Sequence, residues 1–229
     1  MPAKNTIKQY IEEGCYHIYN RGVEGREIFL DEQDYRVFLE YLKRYLVDYE
    51  KEGKERPSTT AHRKKMSLAG EVVLLAYCLM PNHVHLLVGQ RSKDGITKLM
   101  QRVGTKYGMY FNRKYDRKGT LWEGVYKAVL VENGEQMMHV SRYIHLNPVK
   151  MTKKRYGLVE TVTGSRPDEY PYSSYRKYIG KESAEWVHPE SVLSLVGKMG
   201  YERFVLDYVG GEDAKLAGLT IDGSGGGVD

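Results

Sequence analysis

Two histidines, His83 and His85, stand two residues apart in the apolar run His83-Val-His-Leu-Leu-Val88. On a β-strand this spacing puts both imidazoles on one face and turns Val84 into the core. Neutral imidazole is a common metal ligand, but two nitrogens leave a divalent ion short of its coordination number. A third protein group and substrate oxygens must complete such a site, which invites a phosphate. Alone, the pair equally suits two rings that hydrogen-bond near a sheet surface. A closed structural zinc site needs four clustered ligands, and the chain has no Cys or His at the usual spacings.

Further on, His139, Tyr143 and Asn147 follow at intervals of four and form one stripe of a helix, with Arg142 and His145 pointing elsewhere. A phenol is a poor nucleophile unless a cation lowers the barrier, and a metal that polarises a phosphodiester supplies that help. The same stripe has plainer readings. The chain holds 20 Tyr, most of which must pack or face solvent, and Asn147 suits a helix C-terminus ahead of Pro148.

Between these two groups basic residues accumulate: Lys98, Arg102, Lys106, Arg113, Lys114, Arg117, Lys118 and Lys127, against Asp116 and Glu123. That excess matches a phosphate backbone, although a solvated helix face also explains lysines and arginines. Trp122, Tyr107, Tyr110, Tyr115 and Tyr126 are placed to stack bases, the usual means of holding single strands, or to fill the core.

The elements that must position these residues are legible from periodicity. Cys15 to Gly22 alternates bulky and polar groups and reads as a strand running into a turn. Asp31 is an N-cap, and Tyr35, Phe38, Leu39, Leu42, Leu46 and Tyr49 recur at helical spacing to about Glu50. Glu71 to Met80 and His83 to Val88 form a hairpin around Pro81-Asn82. Ile96 to Phe111 is a second amphipathic helix, Trp122 to Val131 a further strand, and Glu135 to about Leu146 a third helix. That helix is expected to stop near Asn147, because the residue before a proline is pushed out of the α region. Strand, helix, strand, strand, helix, strand and an extra helix make an α+β, ferredoxin-like split β-α-β sandwich. Its antiparallel sheet carries helices on one face, and the added helix bears the tyrosine.

The chain has 229 residues, a length that fits one main domain with appendages. We expect the domain over residues 1–155, a C-terminal helical and aromatic extension over 156–209, and a flexible Gly-rich tail over 210–229. Lys51 to Lys65 is polar without apolar period and reads as a mobile loop. Hydrophobic residues are 41% and no run approaches a membrane span, so a membrane role is not expected. With no secretory signal visible, the cytoplasm is the default compartment. Cys15 and Cys78 suit reduced, buried thiols. The net charge of +5 is modest for a nucleic-acid binder, which leaves the argument to the distribution of charge.

Three runs carry a family resemblance: Leu79-Met-Pro-Asn-His-Val-His-Leu-Leu-Val88, Gly119 to Val131, and Ser141-Arg-Tyr-Ile-His-Leu-Asn-Pro-Val149. Together with Tyr16-His-Ile-Tyr-Asn-Arg-Gly22, which adds Arg21 to the DNA-contacting candidates, they resemble single-tyrosine HUH transposases, in particular the REP-associated tyrosine transposase branch. The resemblance implies that Tyr143 attacks a phosphate of single-stranded DNA, forming a 5′-phosphotyrosine link and a free 3′-hydroxyl. It implies that His83, His85 and Asn147 hold Mg²⁺ or Mn²⁺, with His139 a weaker candidate ligand. The expected partner is single-stranded DNA with a hairpin or palindromic repeat, and the expected state a monomer or homodimer, tilted to the monomer. The main rival is a domesticated protein that binds hairpin repeats without cutting. An RNA-binding module is ranked last for want of the expected strand motif.

Overall fold

The computed structural model describes residues 8, 10–48, 66–150 and 166–208. The expected loop 51–65, the 155/156 boundary and the tail 210–229 lie outside these residues.

Four strands form one antiparallel sheet: β1 (Cys15–Arg21), β2 (Val72–Met80), β3 (His83–Gln90) and β4 (Lys127–Val131), in the order β2-β3-β1-β4. With α1 (Glu32–Leu46) and α2 (Gly95–Lys114) in the connections, this is the split β-α-β arrangement expected from the element order. Period two sorts the strands into two faces. Val84, Leu86 and Val88 of β3 join Tyr16 and Ile18 of β1 beneath α1 and α2, packed against Phe38, Leu42, Leu99, Val103 and Tyr107. Leu87 of β3 and Cys78 and Met80 of β2 look the other way, into a second core with Val140, Tyr143 and Ile144 of α3 (Gly134–Lys150). The extra helix thus covers the face opposite the first two.

Local chemistry sets the helix ends. Asp31 caps α1, its side chain accepting from Asp34 N–H while Asp34 accepts from Asp31 N–H, a reciprocal capping box. Asn133 Oδ1 accepts from Gln136 N–H at the start of α3. Three boundaries differ from the sequence reading. The first helix ends at Leu46, not near Glu50, because Val47 adopts an extended backbone. Trp122 to Tyr126 is not strand: Trp122 makes one bridge to Gly22, Gly124 takes a positive φ, and pairing resumes at Lys127. The third helix runs through Pro148 to Lys150. A proline in the last turn removes a single backbone donor, a loss the helix accommodates here.

The C-terminal segment closes the exposed edge of β2. Leu79 N–H donates to Tyr172 C=O and Ser174 N–H to Tyr77 C=O, while the hydroxyls of Tyr170 and Tyr178 donate to the carbonyls of Leu79 and Leu75. An edge that would otherwise template further pairing is thereby satisfied. Two short helices, α5 (Glu190–Val196) and α6 (Tyr201–Leu206), follow α4 (Tyr175–Tyr178) and complete the second core through Val192, Tyr201 and Val205.

His145 of α3 ties this segment to the sheet. Its Nδ1 lies 2.7 Å from Tyr201 Oη and its Nε2 2.8 Å from Ser174 Oγ, and Tyr201 donates on to Ser141 Oγ. Burial lowers its pKa from 6.5 to about 3. The unfolded chain therefore takes up a proton near pH 6.5 that the folded chain refuses until about pH 3. Stability is complete above the first value and drains as the pH falls toward the second, by about 1.4 kcal/mol per pH unit. Urea denaturation at successively lower pH checks this, and His145→Gln is expected to remove that slope. An unchanged slope in the variant would exclude His145 as its source.

Candidate active site

The site is assembled on the second face of the sheet, where β1, β3 and α3 meet. Antiparallel partners share a face, so Tyr19 opposite His85 and Arg21 opposite His83 bring β1 side chains beside the histidine pair, with His17 one pleat further along. The two imidazoles of the pair have centroids 4.9 Å apart and are mutually perpendicular. Lys127 of β4, opposite Tyr19, lies at the same face. Tyr143 approaches from α3, its ring edge-on to His85 at 5.5 Å and to His17 at 5.9 Å. It is 5% exposed.

Each histidine of the pair is held through Nδ1. For His83 the partner is Asn82 Oδ1 at 2.6 Å. The other end of that amide donates to Gly25 C=O, so Oδ1 is the acceptor and His83 carries its hydrogen on Nδ1. Gly22 permits this turn: a Cβ there would sit 2.2 Å from Arg26 C=O. For His85 the partner is His17 Nε2 at 3.0 Å. His85 is fully buried, and burial, reinforced by repulsion from His83 and His17, holds its pKa well below 6.5, so the ring is neutral. Its Nε2 is buried with no hydrogen-bond partner.

An orphaned ring nitrogen is costly in a folded interior unless something outside the protein completes it. A neutral imidazole whose Nδ1 is held by a neighbouring hydrogen-bond partner is also the form that ligates cations. Among the described residues no three His, Cys, Asp or Glu side chains form a metal-binding group, so any third ligand comes from another residue type. Asn147 is such a residue. It follows Tyr143 by one turn, is buried, and its Nδ2 donates to Tyr143 C=O at 2.8 Å, which lays the amide along the tyrosine's stripe. His139 turns from that stripe toward Arg142 Nη2 at 2.7 Å and the ring of Phe204.

The basic residues divide between the two faces. Arg21 and Lys127 border the histidines, and Arg21 donates through Nε and Nη2 to the two carboxylate oxygens of Glu123. Lys98, Arg102, Lys106 and Lys114 belong to α2, across the sheet, because Ile96, Leu99, Val103 and Tyr107 pack that helix against α1. There Lys98 pairs with Glu71 and Asp94, and Lys114 with Asp31 and the buried Asp34. Arg102 donates to Met66 C=O, and Lys106 sits over the ring of Tyr45. Arg117 donates to Asn112, while Arg113 and Lys118 are exposed. The indole of Trp122 donates to Gly104 C=O and packs on the α2 side. His17 escaped the sequence reading as a site residue: its strand position was visible, but only the β1–β3 register places it against His85.

A helix-borne tyrosine set against a histidine pair on a central strand of a split β-α-β sheet defines a class of protein by its architecture. Residues 33–147, half of the chain, match the family described as "Transposase IS200 like", and the chain belongs to that family. It is 24% identical over 166 residues to a Haemophilus influenzae protein named as a REP-associated tyrosine transposase, spanning 67% of this chain and 82% of that relative. The fold is similar to that of a REP-associated tyrosine transposase solved bound to a REP hairpin, with a TM-score of 0.52 at 15% identity, covering 81% of this chain and 97% of the other. No helix of the described residues is long and apolar enough to cross a membrane.

Proposed function

We propose that the protein cleaves and rejoins single-stranded DNA at hairpin-containing ends, with Tyr143 as the nucleophile. The observation that carries this reading is the ring of Tyr143 at 5.5 Å from His85, whose buried Nε2 has no protein partner. In the reaction Tyr143 Oη attacks a DNA phosphorus and gives up its proton. The P–O3′ bond breaks, its electron pair and a proton remain on the 3′-hydroxyl, and the 5′-phosphate stays on the tyrosine. A 3′-hydroxyl of another strand reverses the step, and the retained phosphodiester energy removes any need for a nucleotide cofactor. Mg²⁺ or Mn²⁺ held by His83, His85 and Asn147 would supply Lewis-acid polarisation of the phosphate.

The remaining work falls to the chain itself. His83 and His85 present ring nitrogens from a rigid strand, and Asn147 keeps the amide beside the nucleophile's own turn. Tyr143 stands against the histidines of its own chain, which supports action in cis by a monomer. Because it is nearly buried, attack requires α3 to yield locally when DNA is seated, and Pro148 has already removed one backbone bond from that turn. Incubation of a labelled hairpin oligonucleotide with protein and Mn²⁺ tests the reading: a covalent adduct is expected on a denaturing gel. Specific binding without adduct, in any hairpin tried, would favour a binding protein that does not cut.

The division of basic residues yields a separate expectation. Arg21→Ala and Lys127→Ala should each weaken hairpin binding and lower the slope of log affinity against log salt by about one. Lys98→Ala and Lys106→Ala, across the sheet, should leave that slope unchanged. Fluorescence anisotropy over a salt series checks both, and the reverse pattern would move the DNA path to the α2 face.

A further inference from the structure

His17 is the third ring of the site. It is fully buried, as is His85, and the two rings stack with centroids 5.2 Å apart and planes 20° from parallel. Two imidazoles whose Nε2 and Nδ1 stand 3.0 Å apart share one hydrogen between those atoms, so one ring donates and the other accepts. If His17 were the donor, His85 would carry its own hydrogen on Nε2, a buried N–H without an acceptor. With His85 as donor, Nε2 holds a lone pair instead, which a cation can complete. His83 is arranged in that second way, its Nδ1 hydrogen given to Asn82.

We infer that His17 is a positioning residue: by accepting the Nδ1 hydrogen of His85 it fixes that ring with Nε2 as the ligating nitrogen. The inference rests on the reading of His83 and His85 as holders of a divalent ion. It gives His17 the part that Asn82 plays for the other histidine, so each ring has its own acceptor for the Nδ1 hydrogen. Such acceptors set tautomer and ring orientation together, and their loss costs about 10- to 100-fold in metal affinity. His17 stands at two further ring contacts, with Tyr19 at 5.2 Å and Tyr143 at 5.9 Å. A bulky apolar replacement can therefore fill its space without opening a void.

The test uses the full chain. In metal-free protein, NMR of isotope-labelled histidines should show His85 protonated on Nδ1, and protonation on Nε2 would overturn the inference. Mn²⁺ titration followed by electron paramagnetic resonance should show His17→Phe weakened about 10- to 100-fold. His17→Gln, whose side-chain oxygen can still accept from His85, should recover most of that loss. Equal Mn²⁺ affinity in wild type and His17→Phe would also overturn the inference, and if His17→Phe fails to fold, the tautomer and His17→Gln decide. A wild-type protein that takes up no Mn²⁺ yet shows His85 protonated on Nδ1 would instead sink the metal reading alone.

Discussion

Tyr143→Phe should abolish the covalent protein–DNA adduct while hairpin affinity stays close to that of the wild type. The substitution deletes one oxygen and keeps the ring that packs edge-on to His17 and His85. The apolar packing of the second core around Val140, Ile144 and Met80 is then kept. Nucleophile removal is unlike most substitutions in leaving no partial activity, because no other hydroxyl of α3 occupies its stripe: Ser141, the other hydroxyl on this helix, is engaged with Met138 C=O and Tyr201. The measurement is single-turnover adduct formation on a denaturing gel beside equilibrium binding of the same oligonucleotide. An adduct that persists in Tyr143→Phe would assign the chemistry to another of the 20 tyrosines.

His83→Ala should lower the rate of adduct formation by about 10²- to 10³-fold at saturating DNA, the scale on which loss of a preorganised electrostatic group acts in phosphate and acyl transfer. His83 is the better probe of the pair because it is only half-buried, so its loss opens no closed cavity. His85→Ala, by contrast, would leave a void between His17 and Tyr143 and remove the hydrogen bond to His17, mixing stability with chemistry. Chelation of the wild type by EDTA should reproduce the rate loss and excess Mn²⁺ should reverse it. A His83→Ala protein that forms adduct at the wild-type rate would remove the histidine pair from the reaction.

What could be read in advance follows the range of the interactions. His83 and His85 share a face because period two is a property of one strand, and Tyr143 and Asn147 share a stripe because four residues make about a turn. Asp31 declared its helix start through a cap that reaches three residues. The element order could be read because each strand and helix declares itself by its own period, and the short turn between Met80 and His83 makes β2 and β3 antiparallel neighbours. The end of α1, the interruption at Gly124 and the passage of α3 through Pro148 were less legible. Each turns on a local preference that packing overrides, from tenths of a kcal/mol for most residues to about 3 kcal/mol for a proline within a helix.

The sequence by itself determined the histidine pair, the candidate nucleophile and the strand and helix that bear them, since all of these are repeats within a single element. Only the tertiary structure decided that His17 backs His85, because that contact joins residues 68 positions apart and exists through the β1–β3 register alone. It likewise decided that Arg21 and Lys127 border the site while the basic face of α2 lies across the sheet. A helix's charge pattern states which side meets solvent, but the face of the sheet on which it packs is set by chain crossover and core burial, which no local spacing encodes.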